Sequence, residues 1–256
     1  MIDITNSKLR KNVALLVIGD EILNGQTKDK NIATIADFCT KKGVDLQEVR
    51  IVLDEEKEII AAINALRSRY SYVFSTGGIG PTHDDITAAA MAKAFGVELI
   101  MSEQAKLMMQ KHSKVDFLSA GRERMARIPS GANLISNSVT GAPGFQMGNV
   151  YVLAGVPVIM QAMLDEIAIS FVKGEKINSK EITVGVGESK IAFALGEIQN
   201  SFKTVKIGSY PQMGKFSCVV LRSIDKIALE QAAKLVQTMV DKIHKDNDIT
   251  LPTSKT

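Results

Sequence analysis

Tryptophan is absent from this 256-residue chain, aromatic residues make up only 5% of it, and there are two cysteines, Cys39 and Cys218. With so few aromatic rings there is no evident stacking platform for nucleic-acid bases. The cysteines stand far apart and outside any metal-ligand spacing, so both are read as free thiols in a reducing, cytoplasmic setting. No apolar run approaches the ~18–20 residues that a bilayer crossing needs. The segment Met1 to Asn12 is polar and mixed in charge, unlike a secretory signal. Charge of one sign is scarce too: 31 Lys and Arg against 28 Asp and Glu leave a net +3. That excess is too small to argue for nucleic acid or membrane as a partner.

What is present fits an ordinary globular protein. Hydrophobic residues are 45% and charged residues 23%, which excludes a disordered chain or a fibrous repeat. The length suits one large domain, or one domain with a smaller companion. Val13 to Ile18 is a continuous apolar run ending at Gly19-Asp20, the pattern of a buried parallel strand. Ile32, Ile35, Ala36 and Cys39 then fall at helical spacing, with Gly43 as terminator. Leu46, Val49 and Ile51 mark a second strand. Asp54 reads as the cap of a helix whose stripe is Ile59, Ile60, Ile63 and Leu66. Tyr72 to Ser75 is a third strand, and Thr87 to Phe95 a helix closed by Gly96.

Ser102 to Ser113 reads as helical, and Phe117 to Gly148 as mostly loop with one short helix near Arg122 to Arg127. Val150 to Ala154 is a strand, and Val158 to Val172 a helix. The alternation predicts a three-layer α/β/α fold around a mostly parallel sheet. Lys173 to Lys176 is a plausible boundary, giving domains at 1–173 and 174–256. The second domain reads as strand 182–186, helix 189–202, strands 205–210 and 216–221 joined by Pro211 to Gly214, and a helix from Asp225 to His244. That order predicts a small α+β unit of ferredoxin-like kind, with a frayed tail from Lys245.

In an open parallel sheet, ligands gather beyond the carboxyl ends of the strands. Two segments fall there: Gly19-Asp20-Glu21-Ile22-Leu23-Asn24-Gly25-Gln26, and Thr76-Gly77-Gly78-Ile79-Gly80-Pro81-Thr82-His83-Asp84-Asp85-Ile86-Thr87. In the second, three glycines let backbone approach an anion, and the following helix presents free N–H groups to a phosphate. Asp84 and Asp85 would repel that phosphate unless a hard cation sat between them. The same residues equally suit a glycine turn followed by helix-capping aspartates. The dinucleotide fingerprint fails, because His83 stands where its third glycine belongs. Thr140 to Phe145 reads as a loop able to close over a ligand, or as a plain turn. Arg122 and Arg124 could neutralise phosphate but read more readily as a solvated helical face. His83, beside the acidic pair, could act as acid or base but reads more readily as supporting that pair or facing solvent. His112 and His244 have no partner in sequence. Met108, Met109, Met160 and Met163 read as packing.

Together, the segments Gly19 to Gln26 and Thr76 to Thr87, with Ala142-Pro143-Gly144 and Gly155-Val156-Pro157, resemble the N-terminal part of the CinA-type competence/damage-inducible family. That part belongs to the molybdopterin-binding (MoaB/MogA-like) domain family. The likeness runs from about Val13 to Val172, and Gly187-Glu188-Ser189 and Gly208 to Gly214 resemble the small domain that follows. Thr140-Gly141-Ala142 departs from the family's usual Gly-Thr-Ala, and Ala154 stands where a proline is usual. The chain stops where the family's deamidase domain would begin, so nicotinamide-nucleotide deamidation is not expected.

The resemblance implies a metal-dependent hydrolase of a nucleotide diphosphate linkage, of the ADP-ribose or FAD pyrophosphatase kind. Asp85 and Asp84 would be catalytic, and with Asp20 would hold Mg²⁺, Mn²⁺ or Co²⁺. Thr76, Gly77, Gly78, Gly80, Thr82 and Thr87 would bind phosphate. Glu21, Asn24, Gln26, Ala142, Pro143 and Gly144 would form ligand loops. The alternatives are a molybdopterin-binding or molybdopterin adenylyltransferase-like protein, and a non-catalytic nucleotide-sensing module. In each case the partner is a small nucleotide or pterin, and a homo-oligomer, dimer or trimer, is expected.

Overall fold

A computed structural model describes residues 11–171, 174–175, 177–211 and 217–247. The chain divides into two compact units, Met1–Gly174 and Glu175–Thr256. Expectations that fall on 1–10, 172–173, 176, 212–216 and 248–256 lie outside the described residues.

The first unit is built on a six-stranded sheet of order β2-β1-β3-β8-β7-β6. Its strands are β1 (Asn12–Ile18), β2 (Asp45–Val52), β3 (Tyr72–Thr76), β6 (Asn133–Ile135), β7 (Gly144–Met147) and β8 (Val150–Leu153). The pairs β1–β2, β1–β3 and β3–β8 are parallel, and the last two strands complete an antiparallel edge. A buried strand exposes alternate side chains to two faces, and β1 shows both. Ala14, Leu16 and Ile18 enter one apolar layer with Ile59, Ile63 and Leu66 of α3 (Glu56–Arg69) and Ala90, Met91 and Ala94 of α4 (Thr87–Phe95). Val13, Leu15 and Val17 enter the other, with Ile35 and Cys39 of α2 (Asn31–Lys42) and Met160, Met163, Leu164 and Ile167 of α7 (Pro157–Ser170). Two apolar layers around one sheet make the three-layer fold. Phe74 anchors the second layer, with ring centroids of Phe38, Tyr151 and Phe171 at 5.7, 5.4 and 5.8 Å.

The region expected to be mostly loop is more ordered than its composition suggests. It holds α6 (Ala120–Arg124), β5 (Arg127–Pro129), β6 and β7. β5 pairs with β4 (Leu99–Met101) as a separate antiparallel ribbon. Each of these strands has only three or four residues, too few for alternation to show in sequence. α5 (Glu103–Ser113) starts at Ser102, whose side chain accepts from the Ala105 N–H.

In the second unit, β9 (Asn178–Thr183), α8 (Ala192–Ser201), β10 (Lys206–Pro211), β11 (Ser217–Ser223) and α9 (Lys226–Asn247) follow in order. The sheet order is β10-β11-β9 with antiparallel neighbours. β9 and β10 therefore run the same way, with β11 inserted between them, the split β-α-β of ferredoxin-like units. β9 begins and ends earlier than its apolar run 182–186 suggested. Its outward residues are polar, and the pairing with β11 sets its limits. Val184 and Val186 instead join the core of this unit with Val219, Leu221, Leu229 and Val236.

Phe74→Ala removes a fully buried ring from the second layer and is expected to cost about 3–5 kcal/mol. Urea unfolding followed by circular dichroism measures it. A loss under ~1 kcal/mol would show that the aromatic cluster does not hold the layer together.

Candidate functional site

The carboxyl ends of β1, β3 and β8 meet in a crevice of about 930 Å³. Its floor is backbone. Gly77 has φ +103, and a Cβ there would sit 2.0 Å from the Ile18 carbonyl oxygen. Gly78 has φ +65, and its Cβ would lie 2.2 Å from Thr87 Oγ1. Neither conformation nor space admits a side chain. Gly155, after β8, packs against Gly77 from the other side, and its carbonyl accepts from Asn31 Nδ2 at 2.7 Å.

The loop after β3 is folded by its own polar groups. Asp85 accepts from the Gly80 N–H at 2.6 Å, the Thr82 N–H at 2.8 Å and Thr82 Oγ1 at 2.6 Å. Thr87 is fully buried, and its hydroxyl donates to the Gly77 carbonyl at 3.0 Å. Thr76 is buried as well. Thr76, Thr82 and Thr87 thus do not line the crevice, whereas Gly77, Gly78, Gly80, Asp84 and Asp85 do.

At the ends of β1 and β2, two aspartates clasp each other's backbone. The Asp20 N–H donates to Asp54 Oδ2 at 3.0 Å, and the Asp54 N–H donates to Asp20 Oδ1 at 2.9 Å. Asp54 does not cap α3, whose N-cap is Glu55 with no side-chain bond. It faces the crevice beside Glu21. Burial pushes the Asp54 carboxyl above its ordinary range, and the negative charges of Asp20, Glu21 and Asp84 push it further, against the pull of the Asp20 N–H. Asn24 and Gln26 bond to each other at 3.1 Å in an exposed turn and stay outside the lining. Ala142 and Pro143 line the crevice, while Gly144 begins β7 against the Val152 carbonyl.

Sequence reasoning missed Asp54 and His112 as crevice residues and ranked a solvated face above a phosphate role for Arg122, which also lines the crevice. Asp54 was legible by position, since it follows β2 as Asp20 follows β1. Arg122 is half-buried rather than solvated and donates to Ser113 Oγ at 2.6 Å and the Thr140 carbonyl at 3.0 Å. His112 lies 3.1 Å from the Ser138 carbonyl. His83 is exposed.

Among the described residues, no three or more His, Cys, Asp or Glu side chains form a group able to hold a metal ion. Both Asp85 oxygens serve the loop, and Asp20 is engaged with Asp54. Asp84 is exposed at the crevice, and Asp85, Asp84 and Asp20 do not come together as a group of three.

Comparison with known proteins gives the family. The description "Probable molybdopterin binding domain" matches residues 14–174, and the chain belongs to that family. Residues 176–247 match "FAD synthase, middle domain". A protein of Archaeoglobus fulgidus is 30% identical over 227 residues, covering 89% of this chain and 97% of its own length. A protein of Pyrococcus furiosus is 32% identical over 240 residues, covering 88% and 95%. A CinA-like protein of Geotalea uraniireducens is 39% identical over 166 residues, 62% of this chain and 40% of that protein. The crystal structure of CinA from Thermoplasma acidophilum, described as of unknown function, aligns with TM-score 0.59 and 35% identity. It covers 63% of this chain and 98% of that one. These findings overturn the expectation of a metal-dependent pyrophosphatase. The family they define is a molybdopterin-binding one.

Two outcomes test this geometry. Asp85→Ala leaves the Gly80 and Thr82 donors without their acceptor, and is expected to destabilise the protein by roughly 1–3 kcal/mol. Chemical denaturation reads it, and unchanged stability would refute the bracing role. Asp54 binds its proton more readily folded than unfolded. Its contribution therefore favours folding increasingly as pH falls through the raised folded value, and that gain levels off below the unfolded value. Asp54→Asn, whose amide oxygen still accepts from Asp20, is expected to match or exceed the parent Tm at neutral pH. It should lose the advantage in acid, and a lower Tm at neutral pH would contradict the sign.

Proposed function

We propose that the crevice binds a phosphorylated pterin of the molybdopterin type together with a nucleotide, and that the protein adenylylates the pterin. The observation that carries this reading is the side-chain-free floor at Gly77 and Gly78, set at the carboxyl ends of three parallel strands. Only glycine permits this loop, because a Cβ would strike the Ile18 carbonyl or the Thr87 hydroxyl, and the main chain it leaves at the crevice is what a phosphate ester would meet. The volume supports two ligands. About 930 Å³ is near the upper end of the roughly 300–1,000 Å³ of ordinary small-molecule sites.

The family match supports the pterin. Apolar side chains such as Ile159 and Met163 line part of the wall, as a flat heterocycle requires. Asp54 and Glu21 supply acceptors for the amino and ring N–H groups of such a heterocycle.

Titration of the purified protein with molybdopterin, followed by pterin fluorescence, is expected to give saturable binding with Kd on the order of micromolar. Incubation with ATP and product analysis by mass spectrometry is expected to give the adenylylated pterin and pyrophosphate. Absence of saturable binding would sink the reading. Binding with no AMP transfer would remove the reaction and leave the site.

A further inference from the structure

The crevice lining carries four carboxyl side chains, Glu21, Asp54, Asp84 and Asp85, and one guanidinium, Arg122. Beside those carboxylates a phosphate is disfavoured, because like charges at close range in a partly enclosed space repel strongly, so a phosphate held at the Gly77–Gly78 backbone gains from a cation in the same lining. Arg122 is the one side chain of that lining with a fixed positive charge. Its two recorded partners, the Ser113 hydroxyl and the Thr140 carbonyl, are both uncharged. Among the described residues no carboxylate pairs with it. A guanidinium has five N–H donors in a fixed fork. Two are used, so three remain, and a half-buried cation without an internal counter-ion is set to take an external one.

The position of this cation is fixed before any ligand arrives. The buried Asn137 accepts from the Val139 and Thr140 N–H groups at 3.0 and 2.8 Å. Its amide nitrogen also bonds the Ala142 carbonyl. The carbonyl that holds Arg122 is therefore itself held. Gly121, next in the chain, packs on the glycine loop, where a Cβ would stand 3.5 Å from Pro81. Arg122 thus stands on the helix that lies against the bare backbone segment.

We propose that Arg122 is the specificity-determining residue of this crevice, selecting phosphorylated over unphosphorylated ligands by donating its free N–H groups to phosphate oxygens. The inference deepens the pterin reading above and rests on it. Arginine suits the task because its planar fork matches two phosphate oxygens at once.

The test compares 6-hydroxymethylpterin with its phosphate ester, titrated against the full chain by fluorescence. The parent protein is expected to bind the ester about tenfold more tightly or better, with the preference shrinking as salt rises. Arg122→Gln is expected to bring the ratio of the two affinities to about one, with the affinity for 6-hydroxymethylpterin itself changed less than about twofold. Arg122→Lys keeps the charge without the fork and is expected to fall between. Ser113→Ala, which frees the guanidinium on one side, should reduce the ratio in part. Thermal melts of each variant show whether the fold is intact. An unchanged ratio in Arg122→Gln overturns the proposal. So does an equal weakening of both ligands, the mark of a merely structural arginine. If neither compound binds the parent protein, the pterin reading itself fails and carries this inference with it. Binding with an Arg122-independent ratio removes the inference alone.

Discussion

The contact on which the site depends is the one between Gly77 and the carbonyl of Ile18. The ends of β1 and β3 approach so closely there that a Cβ would stand 2.0 Å from the oxygen. Close approach of two parallel strand ends leaves main chain as the only material that can line the gap. The loop that follows must then turn sharply at two successive left-handed glycines. It holds that shape because Asp85 and Thr87 bind its backbone from within. The crevice is thus a consequence of strand geometry, and its polar residues first maintain that geometry.

The electrostatic pattern follows from the same arrangement. Asp20 and Asp54 end adjacent strands and satisfy each other's N–H groups, so the acidic side of the crevice is tied to the sheet register. The carboxylates are fixed acceptors, suited to N–H groups of a heterocycle. Among the described residues, no three or more His, Cys, Asp or Glu side chains converge as a group able to hold a metal ion.

Much of the first unit was legible in the sequence. The run Val13 to Ile18 and the stripe Ile59, Ile63 and Leu66 announced the sheet and one helical layer, because continuous burial leaves a strong periodic trace. The strands at 127–129, 133–135 and 144–147 left none, being short and interrupted by Gly, Ser and Asn. The glycine loop was legible as a tight turn after a strand, and Gly77 and Gly78 take its positive φ values. The direction of its aspartate oxygens was not legible, because adjacency in sequence says nothing about where oxygens point. Asp85 turns back on its own loop, as Asp residues in tight turns commonly do. Arg122 looked solvated because its two anchors lie 9 and 18 residues away along the chain.

The buried thiols carry a consequence of their own. Burial lifts Cys39 to a pKa of about 12, and only the ionised sulfur is a nucleophile. At neutral pH that leaves on the order of one sulfur in 10⁵ reactive, even before access is considered. Oxidants and alkylating reagents therefore have almost nothing to attack in the intact α2 layer. Uptake of such a reagent at Cys39 would act as a clock for how often that layer opens.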